Sequence, residues 1–177
     1  MAAVPSPLMA VGELYGAGLL PRAHISVASS PFLPSGPVPL SVLSQIVMYR
    51  GDMLALGTKD GAIVNAANAE LAGGGGVTGQ IFEKFDVDGS LSKALEAARG
   101  GRAAIEVGSA VATTGHAGLK AIVHAVGPKI APGAQPSAGQ CKELYNAWTA
   151  ALTCAANEGA ASVAVPCLST GIYNFPA

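Results

Sequence analysis

The chain has 177 residues, 50% hydrophobic and 12% charged, with a formal net charge of -1 at pH 7. These values exclude a disordered chain, which needs high charge and few apolar residues, and they suit one medium domain with a buried core plus an extension. They also exclude a global field that recruits polyanions, although backbone N–H groups can build a local anion site without any Lys or Arg.

Residues 1–40 hold Pro5, Pro7, Pro21, Pro31, Pro34, Pro37 and Pro39, against 12 prolines in the whole chain, and only two formal charges, Glu13 and Arg22. Proline at that density removes backbone donors and breaks helices, so 1–40 read as a flexible extension and 41–177 as the folded domain. Met1 to Ala10 has no Lys or Arg, which disfavours a signal peptide, and an organelle transit peptide would be richer in Arg. An intracellular, cytoplasmic location is the expectation, with organelle targeting by 1–40 left open. No run approaches the roughly 20 apolar residues of a membrane span, so no membrane partner is expected.

From Leu43 the texture changes. Ile46-Val47-Met48-Tyr49 reads as a strand ending at Gly51-Asp52. Ala62-Ile63-Val64 is a continuous apolar run, which suits a strand covered on both faces. Gly76 to Phe85 reads as a helix opening directly from glycines; Leu91, Leu95 and Ala98 fall at helical spacing, with Gly100-Gly101 as a stop. Ser109 to Thr114 and Ala121 to Val126 read as a hairpin. Cys141, Leu144, Tyr145, Trp148, Leu152 and Ala155 follow the i, i+3, i+4, i+7 spacing of an amphipathic helix, and Ser162 to Val165 reads as a last buried strand. Strands separated by helices indicate a three-layer α/β/α domain with a mixed central sheet. Cys141, Cys154 and Cys167 show no CxxC spacing and read as small buried hydrophobes of a reducing compartment.

Two loops carry the chemistry. In the first, the strand to Val64 feeds Asn65-Ala66-Ala67-Asn68-Ala69-Glu70-Leu71-Ala72 and then Gly73 to Gly76, four consecutive glycines that open a helix. Glycine lets backbone approach a ligand closely, and the first helical N–H groups lack intrahelical partners at the positive end of the dipole. Together they make a phosphate site. A P-loop reading fails because no Gly-Lys-Ser/Thr ending is present. A dinucleotide fingerprint through Gly74, Gly76 and Gly79 is weak, since no acidic residue closes a clear following strand. The second loop is Ser169-Thr170-Gly171-Ile172-Tyr173. His116, in the hairpin turn, reads as solvated, and His124 as a structural strand residue. Three histidines without ligand spacing give no support to a metal site, and no cofactor is expected.

Asn65-Ala66-Ala67-Asn68 followed by Gly74-Gly75-Gly76-Val77 resembles the signature of the macrodomains. So do Gly51-Asp52 before it, Ile122 to Pro128 after it, and Pro166 to Tyr173 near the end, four blocks in the family's order. The resemblance implies a macrodomain that binds the nucleotide ADP-ribose. Asp52 would accept from the adenine amino group and the Met53 N–H would also meet the base. Asn68 would hold the distal ribose and orient the reacting centre, as the catalytic residue, while Asn65 braces the loop. Gly74, Gly75, Gly76 and Val77 would wrap the distal ribose and neighbouring phosphate. Ser169, Thr170, Gly171 and Ile172 would close over the pyrophosphate, with Tyr173 bordering the ribose.

The same resemblance implies de-ADP-ribosylation: hydrolysis of mono-ADP-ribose from acidic residues of modified proteins, or of O-acetyl-ADP-ribose, with a reader module as the alternative. The MacroD-type branch carries an aspartate where Thr78 stands here, and viral-type relatives have a small residue there. Binding of poly(ADP-ribose) or RNA through the same cleft is disfavoured by the low Lys/Arg count. Family members continue past the second loop with further helices and a strand, so the expectation is a domain incomplete at its C-terminal side.

Overall fold

The structure, a computed structural model, describes residues 45–176 apart from 48, 57–59, 115 and 117. The Pro-rich extension over 1–40 lies outside the described residues. The chain divides into two units between Asp52 and Met53. In the first, the expected strand Ile46–Tyr49 contributes one isolated bridge residue, Tyr49, and Met48 is outside the described residues. Ile46 and Val47 are exposed; a four-residue apolar run forms a strand only where neighbouring strands cover it.

The second unit begins with a 3-10 turn, Met53–Leu56, followed by strand β1 (Gly61–Ala66), helices α1 (Gly76–Phe85) and α2 (Ser90–Arg99), strands β2 (Ala110–Thr113) and β3 (Ala121–Ala125), helix α3 (Ala138–Asn157) and strand β4 (Ser162–Ala164). The sheet order is β2-β3-β1-β4. β1 is parallel to β3, with Ile63 opposite Ile122 and Asn65 opposite His124, and parallel to β4 on its other side. β2 and β3 form the expected antiparallel hairpin. The mixed sheet with helices on both faces is the three-layer α/β/α arrangement.

Alternation along the central strands sorts two cores. Ile63 and Ile122 face α1 and α2, where Ile81, Phe85, Leu91 and Leu95 are buried with them. Each such side chain contributes about 1.5–3 kcal/mol through burial. Ala62, Val64, Ala121 and Val123 face α3.

There the buried stripe is Ala147, Ala151 and Ala155, with Leu144 and Trp148 packed beside it. The expected stripe is therefore rotated: Tyr145 and Leu152 are 45% and 48% exposed. The alanines let α3 approach a strand face that itself carries Ala121 and Ala125, so small size rather than hydrophobicity selects the contact face. α3 begins on a capping box, Ser137 accepting from the Gln140 N–H and Gln140 reaching back to Ser137. α2 stops at Gly100 in the left-handed region, as the paired glycines predict.

Candidate functional site

The carboxyl ends of β1, β3 and β4 lie on one side of the sheet because the three strands are parallel. The chain leaves β1 toward α1 on one face and β3 toward α3 on the other. Neighbouring strands whose connections part to opposite faces leave a crevice at their carboxyl ends. A cavity of about 380 Å³ opens there, lined by 66–68, 74–78, Ala125, Gly127 and 166–173. That size is in the range of small-molecule sites.

Ten of the sequence-derived residues meet in this cavity: Asn68, Gly74, Gly75, Gly76, Val77, Ser169, Thr170, Gly171, Ile172 and Tyr173. Asn65 lies beneath it, buried, and does not line it. The lining comes wholly from the unit that starts at Met53. Asp52 is exposed in the other unit, and Met53 packs against the α1/α2 core.

The first loop ends in a helix start built for an anion. Gly75 caps α1 with no side-chain hydrogen bond, so the first N–H groups of the helix stay open toward the cavity. Gly76 has φ +62, a left-handed backbone that suits glycine, and a Cβ on Gly79 would stand 2.7 Å from the carbonyl oxygen of Gly74. Facing it, the loop 169–173 is tied down by N–H to carbonyl bonds from Phe175 to Ser169 (2.9 Å), Asn174 to Gly171 (2.9 Å) and Ile130 to Tyr173 (2.8 Å). These bonds occupy the carbonyls of Ser169, Gly171 and Tyr173. The N–H groups of Gly171, Ile172 and Tyr173 have no partner among the described residues.

Ser169 is buried at φ +65, and its hydroxyl also lacks a partner among the described residues. It stacks on Gly127, where any Cβ would collide with Oγ. None of the lining side chains is charged. An anion in the cavity would therefore be met by backbone N–H groups and the α1 dipole.

Asn68 is pinned by its own loop: Oδ1 accepts from the Ala72 N–H (2.9 Å) and Nδ2 donates to the Ala72 carbonyl (3.0 Å). An amide has two donor hydrogens and two acceptor lone pairs, so one of each stays available to hydroxyls in the cavity. Thr78 is buried; its one hydroxyl proton is shared between Asn65 Oδ1 (2.9 Å) and the Ala66 carbonyl (3.0 Å). Burial, followed by the charge of Glu70, raises the Tyr173 phenol above its ordinary range. It remains a neutral donor near pH 7.

Two histidines depart from one another. His124 is fully buried, within 3.1 Å of Asn65 through Nδ1 and 3.1 Å of Thr113 through Nε2, and desolvation, with a smaller contribution from His116, lowers its pKa to about 3. His116, expected to be solvated, is buried, with Nε2 unpartnered among the described residues; a turn position in the sequence does not reveal whether the turn folds back. All three cysteines are free, but Cys167 is exposed and lines the cavity rather than the core. Gly127, Pro166 and Cys167 are lining residues that sequence reasoning left outside the site. Gly127 follows the buried strand β3, whereas Pro166 and Cys167 follow β4, which the sequence reads as a buried strand over Ser162 to Val165 but which is a half-exposed edge strand over Ser162–Ala164, because only β1 flanks it. Among the described residues no cluster of metal-ligating side chains exists, and no helix is long and apolar enough to cross a membrane.

The Macro domain family model matches residues 64–177. The ADP-ribose glycohydrolase MACROD1 of Mus musculus is 39% identical over 136 residues, covering 75% of this chain and 38% of its own length. The O-acetyl-ADP-ribose deacetylase of Escherichia fergusonii is 35% identical over 134 residues, covering 75% of this chain and 72% of its own. Among solved structures, the Trypanosoma brucei macrodomain in complex with ADP-ribose superposes with a TM-score of 0.58 at 29% identity, over 77% of this chain and 52% of the other. The Oceanobacillus iheyensis macrodomain with ADP gives 0.55 at 31% identity, over 67% of this chain and 62% of the other. The chain thus spans well under half the length of the mouse relative. With the matched region containing both loops, this chain belongs to the macro domain family.

Proposed function

We propose that this domain binds ADP-ribose in the cavity at the carboxyl ends of β1, β3 and β4, and hydrolyses mono-ADP-ribose from acidic residues of modified proteins or deacetylates O-acetyl-ADP-ribose. One observation carries the reading: an uncapped helix start and a loop with free N–H groups face one uncharged cavity. Each N–H bond to a charged oxygen contributes about 1.5–3 kcal/mol. Two or three provide much of the roughly 8 kcal/mol that micromolar affinity requires.

In this reading the pyrophosphate lies between Gly75–Val77 and 169–173, and the distal ribose between Asn68 and Tyr173. Asp52 and Met53 are assigned to adenine on the family resemblance alone. A water held by the ligand's own phosphate and the loop backbone attacks the anomeric carbon or the ester. Asn68 orients that centre through its remaining donor and acceptor. The free cysteines agree with a reducing, intracellular setting.

Incubation with a Glu/Asp-linked mono-ADP-ribosylated protein tests the activity; release of ADP-ribose is the expected result. A reader-only function is the second reading, favoured by Thr78. Its hydroxyl is committed to Asn65 and Ala66 and cannot serve as a carboxylate base. Micromolar binding with no release would establish the reader.

A further inference from the structure

A row of buried polar side chains crosses the α1-side face of the sheet, just below the cavity. It runs from Thr113 on β2 through His124 on β3 and Asn65 on β1 to Thr78 in the first turn of α1. Thr78 is the one member that lines the cavity. Apolar side chains at these positions would pack against Ile63, Ile122 and Ile81 without any desolvation cost, so stability alone does not call for the row. A fully connected buried network does something apolar packing cannot: it selects one arrangement of its members.

The directions of the bonds follow from the ends. At one end the Thr113 hydroxyl donates to the Ile122 carbonyl (3.4 Å), which leaves its oxygen to accept from His124; at the other the single Thr78 hydroxyl proton is shared between Asn65 Oδ1 and the Ala66 carbonyl, with the amide nitrogen of Asn65 facing His124 Nδ1. An amide nitrogen only donates, so Nδ1 is the bare nitrogen and the ring proton sits on Nε2, where it is donated to Thr113 Oγ1. The opposite tautomer would turn the Asn65 amide over and present a donor, not an acceptor, to Thr78. Thr78 would then accept from Asn65 Nδ2 and give its proton wholly to the Ala66 carbonyl, a different set of bonds at the first turn of α1.

We propose that His124, which does not touch the cavity, is a positioning residue for it: its Nε2–H tautomer holds the Asn65 amide in one orientation, and Asn65 through Thr78 sets the first turn of α1 toward the ligand's phosphate. This inference rests on the proposed ADP-ribose reading.

The test uses the full chain labelled with ¹⁵N-histidine, titrated with ADP-ribose, beside calorimetry on His124→Leu and His124→Asn. Asparagine keeps an acceptor two bonds from Cβ, as Nδ1 is, whereas leucine removes it. The expected spectrum shows a bare Nδ1 and a protonated Nε2 on His124, and saturation with ADP-ribose shifts the Nδ1 resonance. His124→Leu is expected to weaken ADP-ribose by about tenfold, and His124→Asn to bring the affinity back within about threefold of wild type, even if both melt earlier. A protonated Nδ1, an unmoved resonance at saturation, or wild-type affinity in His124→Leu would each overturn the positioning role alone. Failure of the wild-type protein to bind ADP-ribose at all would overturn the functional reading and this inference with it.

Discussion

Gly79→Ala separates the geometry of the first loop from the stability of the helix that carries it. A Cβ at this position would lie 2.7 Å from the Gly74 carbonyl oxygen, whereas ordinary contact begins at 3.4 Å, so the loop must give by 0.7 Å (3.4 − 2.7). The neighbour is backbone and cannot swing aside as a side chain would. Within a helix, alanine gains about 1 kcal/mol over glycine, and overpacking costs about 1–3 kcal/mol. The two largely offset, so Tm should stay within about 5 °C of wild type.

Binding should respond far more. A shift of that size carries an N–H bond of about 2.9 Å beyond useful length, and each such bond to a charged oxygen contributes about 1.5–3 kcal/mol. Calorimetric titration should therefore show ADP-ribose affinity falling by about ten- to a hundredfold. Unchanged affinity with a preserved Tm would refute the claim that the Gly74–Gly76 backbone contacts the ligand.

Further outcomes follow from the same structure. Asn68→Ala should lower turnover on a mono-ADP-ribosylated protein by at least about tenfold while Tm drops only a few degrees, since the two lost bonds to Ala72 are exposed; turnover equal to wild type would remove Asn68 from the mechanism. ADP-ribose affinity should change by less than about threefold between low salt and about 0.5 M salt, because no cationic side chain lines the cavity; a steep decline would reveal a Lys or Arg in the bound state. His124, with a folded pKa of about 3 against 6.5 unfolded, binds fewer protons folded than unfolded between those values. Its contribution is thus fully present above pH 6.5 and lost as pH falls toward 3, at up to about 1.4 kcal/mol per pH unit. Equal acid dependence of unfolding in wild type and His124→Leu would contradict this.

The two site loops were legible because their signals are local. Four consecutive glycines between a buried strand and a helix can be read as backbone left open, and Ser169–Tyr173 likewise leaves the carboxyl end of a strand, the edge strand β4. What joins the loops was not legible. The Thr113–His124–Asn65–Thr78 row links residues separated by 11, 59 and 13 positions, and only the strand register brings Asn65 opposite His124. α3 shows a different limit. Its sequence offers two apolar stripes, and hydrophobicity favours the larger residues, Tyr145 and Leu152. The alanine face, with Leu144 and Trp148 beside it, packs on a strand surface of Ala62, Val64, Ala121, Val123 and Ala125, where small side chains allow close approach. Burial of His116 likewise depends on how its turn folds back, which residue type does not encode.

Titration of the protein with ADP-ribose, ADP and AMP tests the central claim most directly. A cavity that takes both the pyrophosphate and the distal ribose predicts micromolar ADP-ribose, weaker ADP and still weaker AMP. Equal affinity for all three, or no heat with ADP-ribose, would contradict it.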